Sequence, residues 1–311
     1  MSRVRRCVRL PRAGLLAGAL ALALLLPAQA LRAQLPAWPD TATLMRAVRV
    51  LAADSMEGRR AGSAGGARAR RYLLERLRML HLAPWGTSYE HAFPLAGDGV
   101  AGVNLVAVIP GQNSRHIVLS AHYDHVGIVR GEIYNGADDN ASGVAGVLAI
   151  AEELQRRPLK HSVLIVLFDG EEAGLLGAKA MLAEARRRKA ALALEVNLDM
   201  VGHSEKGELW AAGAGRYPIL LPPLKRLQAR APVRLLLGHD RPGAAGQDDW
   251  TNQSDQGPFH AAGIPFVYFG VEDHKDYHRP SDDPDTMTPA FFGRAVATVL
   301  LALRSLDAVV R

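Results

Sequence analysis

From Asn104 onward the chain alternates short apolar runs with longer stretches whose apolar positions recur at helical spacing. The runs Asn104 to Ile109, Ile117 to Ala121, Ser162 to Phe168, Leu192 to Leu198, Glu208 to Ala212 and Pro265 to Phe269 have the length and composition of strands. Ser142 to Gln155, Ala173 to Lys189, Pro218 to Arg230 and Thr286 to Leu306 read as helices. In the last of these, Phe291, Phe292, Val296, Val299 and Leu303 form one apolar stripe that belongs to a core. Strands that alternate with helices build a parallel sheet covered on both faces. The pattern therefore predicts a three-layer α/β/α sandwich with a largely parallel mixed central sheet.

The stretch from Asp40 to Pro84 is helical with one break. Leu73, Leu77 and Leu80 follow Ala69 on one face, and Glu57 to Gly66 (EGRRAGSAGG) interrupts the pattern. The glycines there do not make a phosphate loop, because no strand precedes them and no Gly-Lys-Ser/Thr ends them. Ser63 is expected to cap the following helix.

Residues 1–33 differ from the rest. They carry Arg3, Arg5, Arg6, Arg9, Arg12 and Arg32 and no acid, around an apolar core from Ala13 to Leu26, and end in small-residue patterns at Ala28-Gln29-Ala30 and Leu31-Arg32-Ala33. This is the composition of a secretory signal peptide. The expectation is a signal peptide over 1–33, a single catalytic domain over 34–311, a secreted or periplasmic protein and no lasting membrane anchor. Losing the leader takes six of the 37 basic residues, leaving 31 against 31 acids, so the formal charge falls from +6 to zero. The basicity belongs to the export signal, and no nucleic-acid partner is implied. Arg186-Arg187-Arg188-Lys189 ends a predicted helix, where cations meet the negative end of the dipole. Cys7, the one cysteine, also lies in the leader and ahead of the apolar core, so disulfides, thiol chemistry and lipid attachment are not expected.

Candidate chemistry collects where the predicted strands end, which is where open α/β sheets carry their functional groups. Ile117 to Ala121 runs into His122 and Asp124, and the turn-rich segment behind it holds Asp138 and Asp139. Ser162 to Phe168 ends in Asp169-Gly170-Glu171-Glu172, Leu192 to Leu198 in Asp199, and Pro265 to Phe269 leads to His274 and His278. Taken singly, each is weak: His122-x-Asp124 fits a polar strand end equally well, and acids favour strand-to-helix turns for capping. Together they supply imidazole and carboxylate at several strand ends, the ligands of a borderline divalent metal. His81, His91, His116, His161, His203, His239 and His260 have no ligand spacing.

The segments AHYDH (121–125), NGADDNASGVA (135–145), FDGEEAGLLG (168–177), NLDMVG (197–202), SDQGPFHAAGIP (254–265) and YHRPSDD (277–283), with EGRRAGSAGG ahead of them, resemble the M28 zinc aminopeptidases over nearly all of 34–311. The resemblance implies a zinc-dependent exopeptidase that removes N-terminal residues from peptides with a free N-terminus. It implies two Zn2+ ions bridged by Asp139, with His122 and Asp199 completing one site and Glu172 and His278 the other. Glu171 would be the general base, Asp124 would orient His122, and Asp282 would support His278. Asp138 reads as a turn or supporting group, and His125 and His274 as structural or substrate-facing. Relatives often carry histidine or tyrosine where Gln256 follows Asp255, which puts substrate contacts from that loop in doubt. Phe259, Tyr277 and Trp250 are the candidate walls of a side-chain pocket. Two other readings compete: a glutaminyl cyclase-like aminoacyltransferase with one working zinc, and a non-catalytic binding domain on the same fold.

Overall fold

A computed structural model of the chain describes residues 38–95, 99–241 and 248–310. The signal peptide expected over residues 1–33 lies outside them. The described residues from Trp38 on belong to one compact unit.

Its strands are β1 (Ala83–Pro84), β2 (Glu90–Pro94), β3 (Ala101–Ile109), β4 (Asn113–His122), β5 (Gly127–Val129), β6 (Glu132–Tyr134), β7 (His161–Phe168), β8 (Leu192–Leu198), β9 (Glu208–Ala212), β10 (Arg234–Leu237) and β11 (Phe266–Gly270). The helices are α1 (Thr41–Leu51), α2 (Ala64–Met79), α3 (Gly143–Arg156), α4 (Leu176–Arg188), α5 (Leu221–Gln228), α6 (Gln256–Ala261) and α7 (Pro289–Leu306), with a 3-10 turn at Asp54–Arg59. All six predicted strands are present. The short β1, β2, β5, β6 and β10 and helix α6 were not legible, because runs this brief carry little periodicity. The expected break between α1 and α2 is real, and Ser63 accepts from the Gly66 N–H at 3.0 Å as the cap of α2.

The large sheet has the order β1-β3-β7-β4-β8-β11-β9-β10, with β2 also on β3. Its centre, β7-β4-β8-β11, is parallel, and antiparallel pairings flank it at β3–β7 and β11–β9. The mixed, parallel-centred sheet is therefore as expected, with a further parallel pair, β9–β10, at one edge. Alternation along each strand splits the side chains between two faces. Ile117, Leu119 and Ala121 of β4 face the core shared with α1, α2, α3, α5 and α7. Val118 faces a second core, with Ala178, Met181, Leu182 and Ala185 of α4 and Phe259 of α6. Every residue of β7 is buried, as a central strand covered on both faces must be. Four parallel strands ending side by side leave their carboxyl ends, and the loops that follow them, at one rim of the sheet.

Candidate metal centre

The expected residues come together at that rim. His122 closes β4, Asp199 follows β8, Glu171 and Glu172 follow β7, His278 lies in the long loop after β11, and Asp139 sits in the turn that starts α3. The Nε2 atom of His122 lies 3.3 Å from Asp199 Oδ1 and 3.4 Å from Asp139 Oδ1. On the other side, His278 Nε2 lies 3.0 Å from Asp139 Oδ2 and 3.3 Å from Glu172 Oε1. Asp139 thus takes part in two donor groups, one with His122 and Asp199, the other with Glu172, His278 and His125. One carboxylate that presents an oxygen to each of two groups has the geometry of a bridge.

The donor set fits cations. His122 Nδ1 donates to the Asp124 carbonyl at 3.1 Å, which leaves the Nε2 lone pair aimed between two carboxylates. Both nitrogens of His125 and Glu172 Oε1 are buried without a hydrogen bond of good geometry, although His125 Nδ1 and Glu172 Oε1 are only 2.9 Å apart. Donor atoms this close that do not satisfy one another are arranged around a common point. The charge balance agrees. Burial acts to lower the His122 imidazole, but Asp199 and Glu171 outweigh it and drive it well above its ordinary range. Bonds from Asp139 and Glu172 push His278 up to about 10. Burial acts to raise Glu172, yet His125 and His278 hold it well below the usual carboxylate range. The imidazoles are drawn toward protonation by a surplus of carboxylate that divalent ions would neutralise. Zinc suits this donor set of imidazole and carboxylate.

The supporting residues depart from expectation in three places. Asp124 orients His122 through its backbone carbonyl; its Oδ1 stands 3.8 Å from Nδ1, too far for a hydrogen bond. The Asp124 carboxylate instead accepts from the N–H groups of Glu171 and Glu172 at 3.1 and 3.3 Å, fixing the turn that presents both glutamates. Asp282 does not brace His278 by a bond of its own: it accepts from the N–H groups of Asp138 and Asp139 at 2.9 and 3.0 Å. Phe259 is no pocket wall, being fully buried against Phe168 in the second core.

Two residues were missed as parts of the centre. His125 was left open between roles and stands inside the second donor group. Arg59, in the glycine-rich break, is fully buried and donates to the carbonyls of Tyr123, Leu51, Asn135 and Gly136 at 2.9, 2.8, 2.5 and 2.9 Å. The signal for it was an arginine among turn glycines, which by itself reads as solvent-exposed.

His203, His274 and Asp276 also gather. The rings of His203 and His274 stack 4.4 Å apart at 15°, so their in-plane lone pairs run side by side and cannot meet on one ion. His274 Nε2 is instead 3.1 Å from Asp138 Oδ2, whose Oδ1 accepts from the Gly202 N–H at 2.7 Å. Asp138 and His274 hold the bridging turn in place.

The centre opens into a cleft of about 440 Å³ whose lining includes Glu171, Asp199, Asp273, Trp250, Tyr268 and Tyr277. Burial raises the Glu171 carboxyl well above its ordinary range, against the pull of His122. A parallel-centred sheet with imidazoles and carboxylates gathered around one shared aspartate at its carboxyl rim defines an α/β protein with a candidate metal centre. The chain belongs to peptidase family M28, whose model matches residues 104–303. It is 30% identical over 125 residues to leucine aminopeptidase 1 of Ajellomyces capsulatus, covering 38% of this chain and 32% of that protein, so it spans about a third of the relative's length. In fold it resembles the glutaminyl cyclase of Fimbriiglobus ruber (TM-score 0.71, 20% identity, 86% of this chain and 95% of that one). It also resembles the zinc aminopeptidase BSAP of Bacillus subtilis (TM-score 0.68, 17% identity, 87% and 95%).

Proposed function

We propose that the protein is an exported di-zinc aminopeptidase that hydrolyses N-terminal residues from peptides. The observation that carries the reading is Asp139, shared between the His122–Asp199 group and the Glu172–His278 group. His122, Asp139 and Asp199 would hold one ion; Asp139, Glu172 and His278 the other, with His125 beside it. Bound zinc would supply Lewis acidity for the scissile carbonyl and acidify the attacking water. Glu171 lines the cleft without belonging to either donor group. Its carboxylate takes the proton from the attacking water and returns it to the leaving amine nitrogen as the peptide C–N bond breaks. Asp124 keeps this carboxylate in register by holding the Glu171 and Glu172 backbone. Glu171, Asp199 and Asp273 face the cleft and compensate the charge of a free N-terminal ammonium group.

The test is a panel of aminoacyl substrates with their N-acetylated counterparts and one peptide that begins with glutamine. Turnover of the free forms and refusal of the acetylated ones is expected. Equal cleavage of both would remove the aminopeptidase reading, and cyclisation of the glutamine peptide without hydrolysis would favour the cyclase. The export half of the proposal rests on the arginine-flanked apolar leader and predicts a mature N-terminus near Leu31 or Gln34, read by intact mass.

A further inference from the structure

Beneath the metal ligands, on the same face of the sheet, lies a column of buried polar side chains that the chemistry above does not use. Ser120 stands two residues before His122 on β4, and Asn197 two residues before Asp199 on β8, so each points to the same side as the ligand it precedes. Ser120 Oγ lies 2.6 Å from Glu195 Oε1 and 3.1 Å from Asn197 Oδ1. The Asn197 amide donates to Ser254 Oγ at 3.0 Å and to Gln256 Oε1 at 3.1 Å. Gln256, with no exposed surface, then donates from Nε2 to the Trp250 carbonyl at 2.6 Å. The chain of bonds starts under the ligands and ends on a residue that lines the cleft.

Trp250 is otherwise fixed by its backbone N–H, which donates to the His239 carbonyl at 2.8 Å, and through its ring. It stacks on His239 with centroids 3.6 Å apart and meets Tyr268 edge-on at 5.5 Å. These contacts set the tilt of the indole and tie it to β11, whose Tyr268 hydroxyl donates to the Asp199 carbonyl at 3.2 Å. The Gln256 amide adds a direct side-chain bond from the Trp250 backbone to Asn197 of β8, the strand that Asp199 follows. A neutral amide suits the position because it accepts from Asn197 and donates to a carbonyl at once, and a buried polar group without both partners would be costly.

We infer that Gln256 is a positioning residue that registers the Trp250 wall against the metal ligands and so sets how large an N-terminal side chain the cleft accepts. This deepens the aminopeptidase reading and rests on it for its kinetic consequence. The departure at Gln256 thus moves from substrate contact to buried clamp.

The variant Gln256→Met keeps the length of the side chain and removes both bonds. In the zinc-loaded full chain, KM for a leucyl substrate should rise roughly tenfold, the scale on which an apolar pocket discriminates, while KM for an alanyl substrate moves by less than about threefold and kcat holds for both. The near-ultraviolet circular dichroism of the aromatic wall should weaken. An equal loss for leucyl and alanyl substrates with falling zinc content would overturn the inference in favour of plain support of the centre. An unchanged leucyl KM would overturn it too. If the wild type turned over no aminoacyl substrate, the aminopeptidase reading would fall, and the dichroism would still decide the clamp: unchanged bands in Gln256→Met would end it.

Discussion

Glu171 and Glu172 are neighbours of identical chemistry whose surroundings differ. Glu172 lies against His125, Asp139 and His278, and those imidazoles keep it ionised. Glu171 sits in the cleft, where burial raises its carboxyl toward the range a general base needs. Glu172→Ala is therefore expected to lower zinc content and activity together. Glu171→Gln is expected to retain zinc while the rate falls by roughly 10² to 10⁴, the contribution of a positioned general base. Metal analysis beside single-turnover kinetics checks both. Zinc depletion in Glu171→Gln with full loading in Glu172→Ala would reverse the roles. Both glutamates were legible at the end of an apolar run, since a strand terminus followed by Asp-Gly-Glu-Glu marks a rim position. Which oxygen faces which imidazole was not legible, because His278 and Asp139 reach the site from turns far apart in the chain.

Among the elements, the strands place the ligands and the turns aim them. Asp139 and its neighbours lie in an irregular turn before α3, where no repeating backbone ladder fixes the carboxylate. Asp282 grips this turn through the Asp138 and Asp139 N–H groups, and Arg59 grips its preceding carbonyls at Asn135 and Gly136. Arg59 also binds the end of α1 at Leu51 and the residue after β4 at Tyr123, so one buried guanidinium joins three segments. Burial pulls it down to about 10, which leaves it charged at neutral pH. Arg59→Met would strand the buried carbonyls of Tyr123, Leu51 and Asn135, each worth about 1–3 kcal/mol when left without a partner, while Gly136 keeps the Ala141 N–H at 3.3 Å. After partial relaxation, a loss of at least about 3 kcal/mol is expected, measured as a lower urea midpoint. A loss within about 0.5 kcal/mol, the range of an ordinary surface substitution, would show that the carbonyls find other donors.

For the whole molecule, the proposed zinc centre would couple metal binding to folding. The donors of the rim stand at the end of β4, after β7 and β8, in the turn before α3 and in the loop after β11, so ions held there would bind those segments to one another. Ions that bind the folded chain stabilise it by mass action. Chelation is expected to lower Tm and abolish activity. Zinc should restore both, saturating at about two equivalents per chain, as two donor groups that share a bridge require. Metal titration followed by calorimetry checks this. Full activity at one equivalent would move the reading toward the cyclase.

The amino-acid order alone determined the six main strands, the large helices and the residues at each strand end, because local periodicity and strand termini are written in consecutive positions. It also carried the block pattern of family M28. Only the tertiary structure decided that His125 stands beside the shared Asp139, that Asp124 turns His122 with its carbonyl, and that Arg59 and Gln256 are buried clamps. Arg59 meets its partners across 64 to 77 residues for three of its four bonds, and Gln256 meets Asn197 across 59. No window of sequence contains both ends of such a bond. A polar side chain among glycines or after an acid looks solvent-exposed until the packing of the sheet brings a buried carbonyl to it.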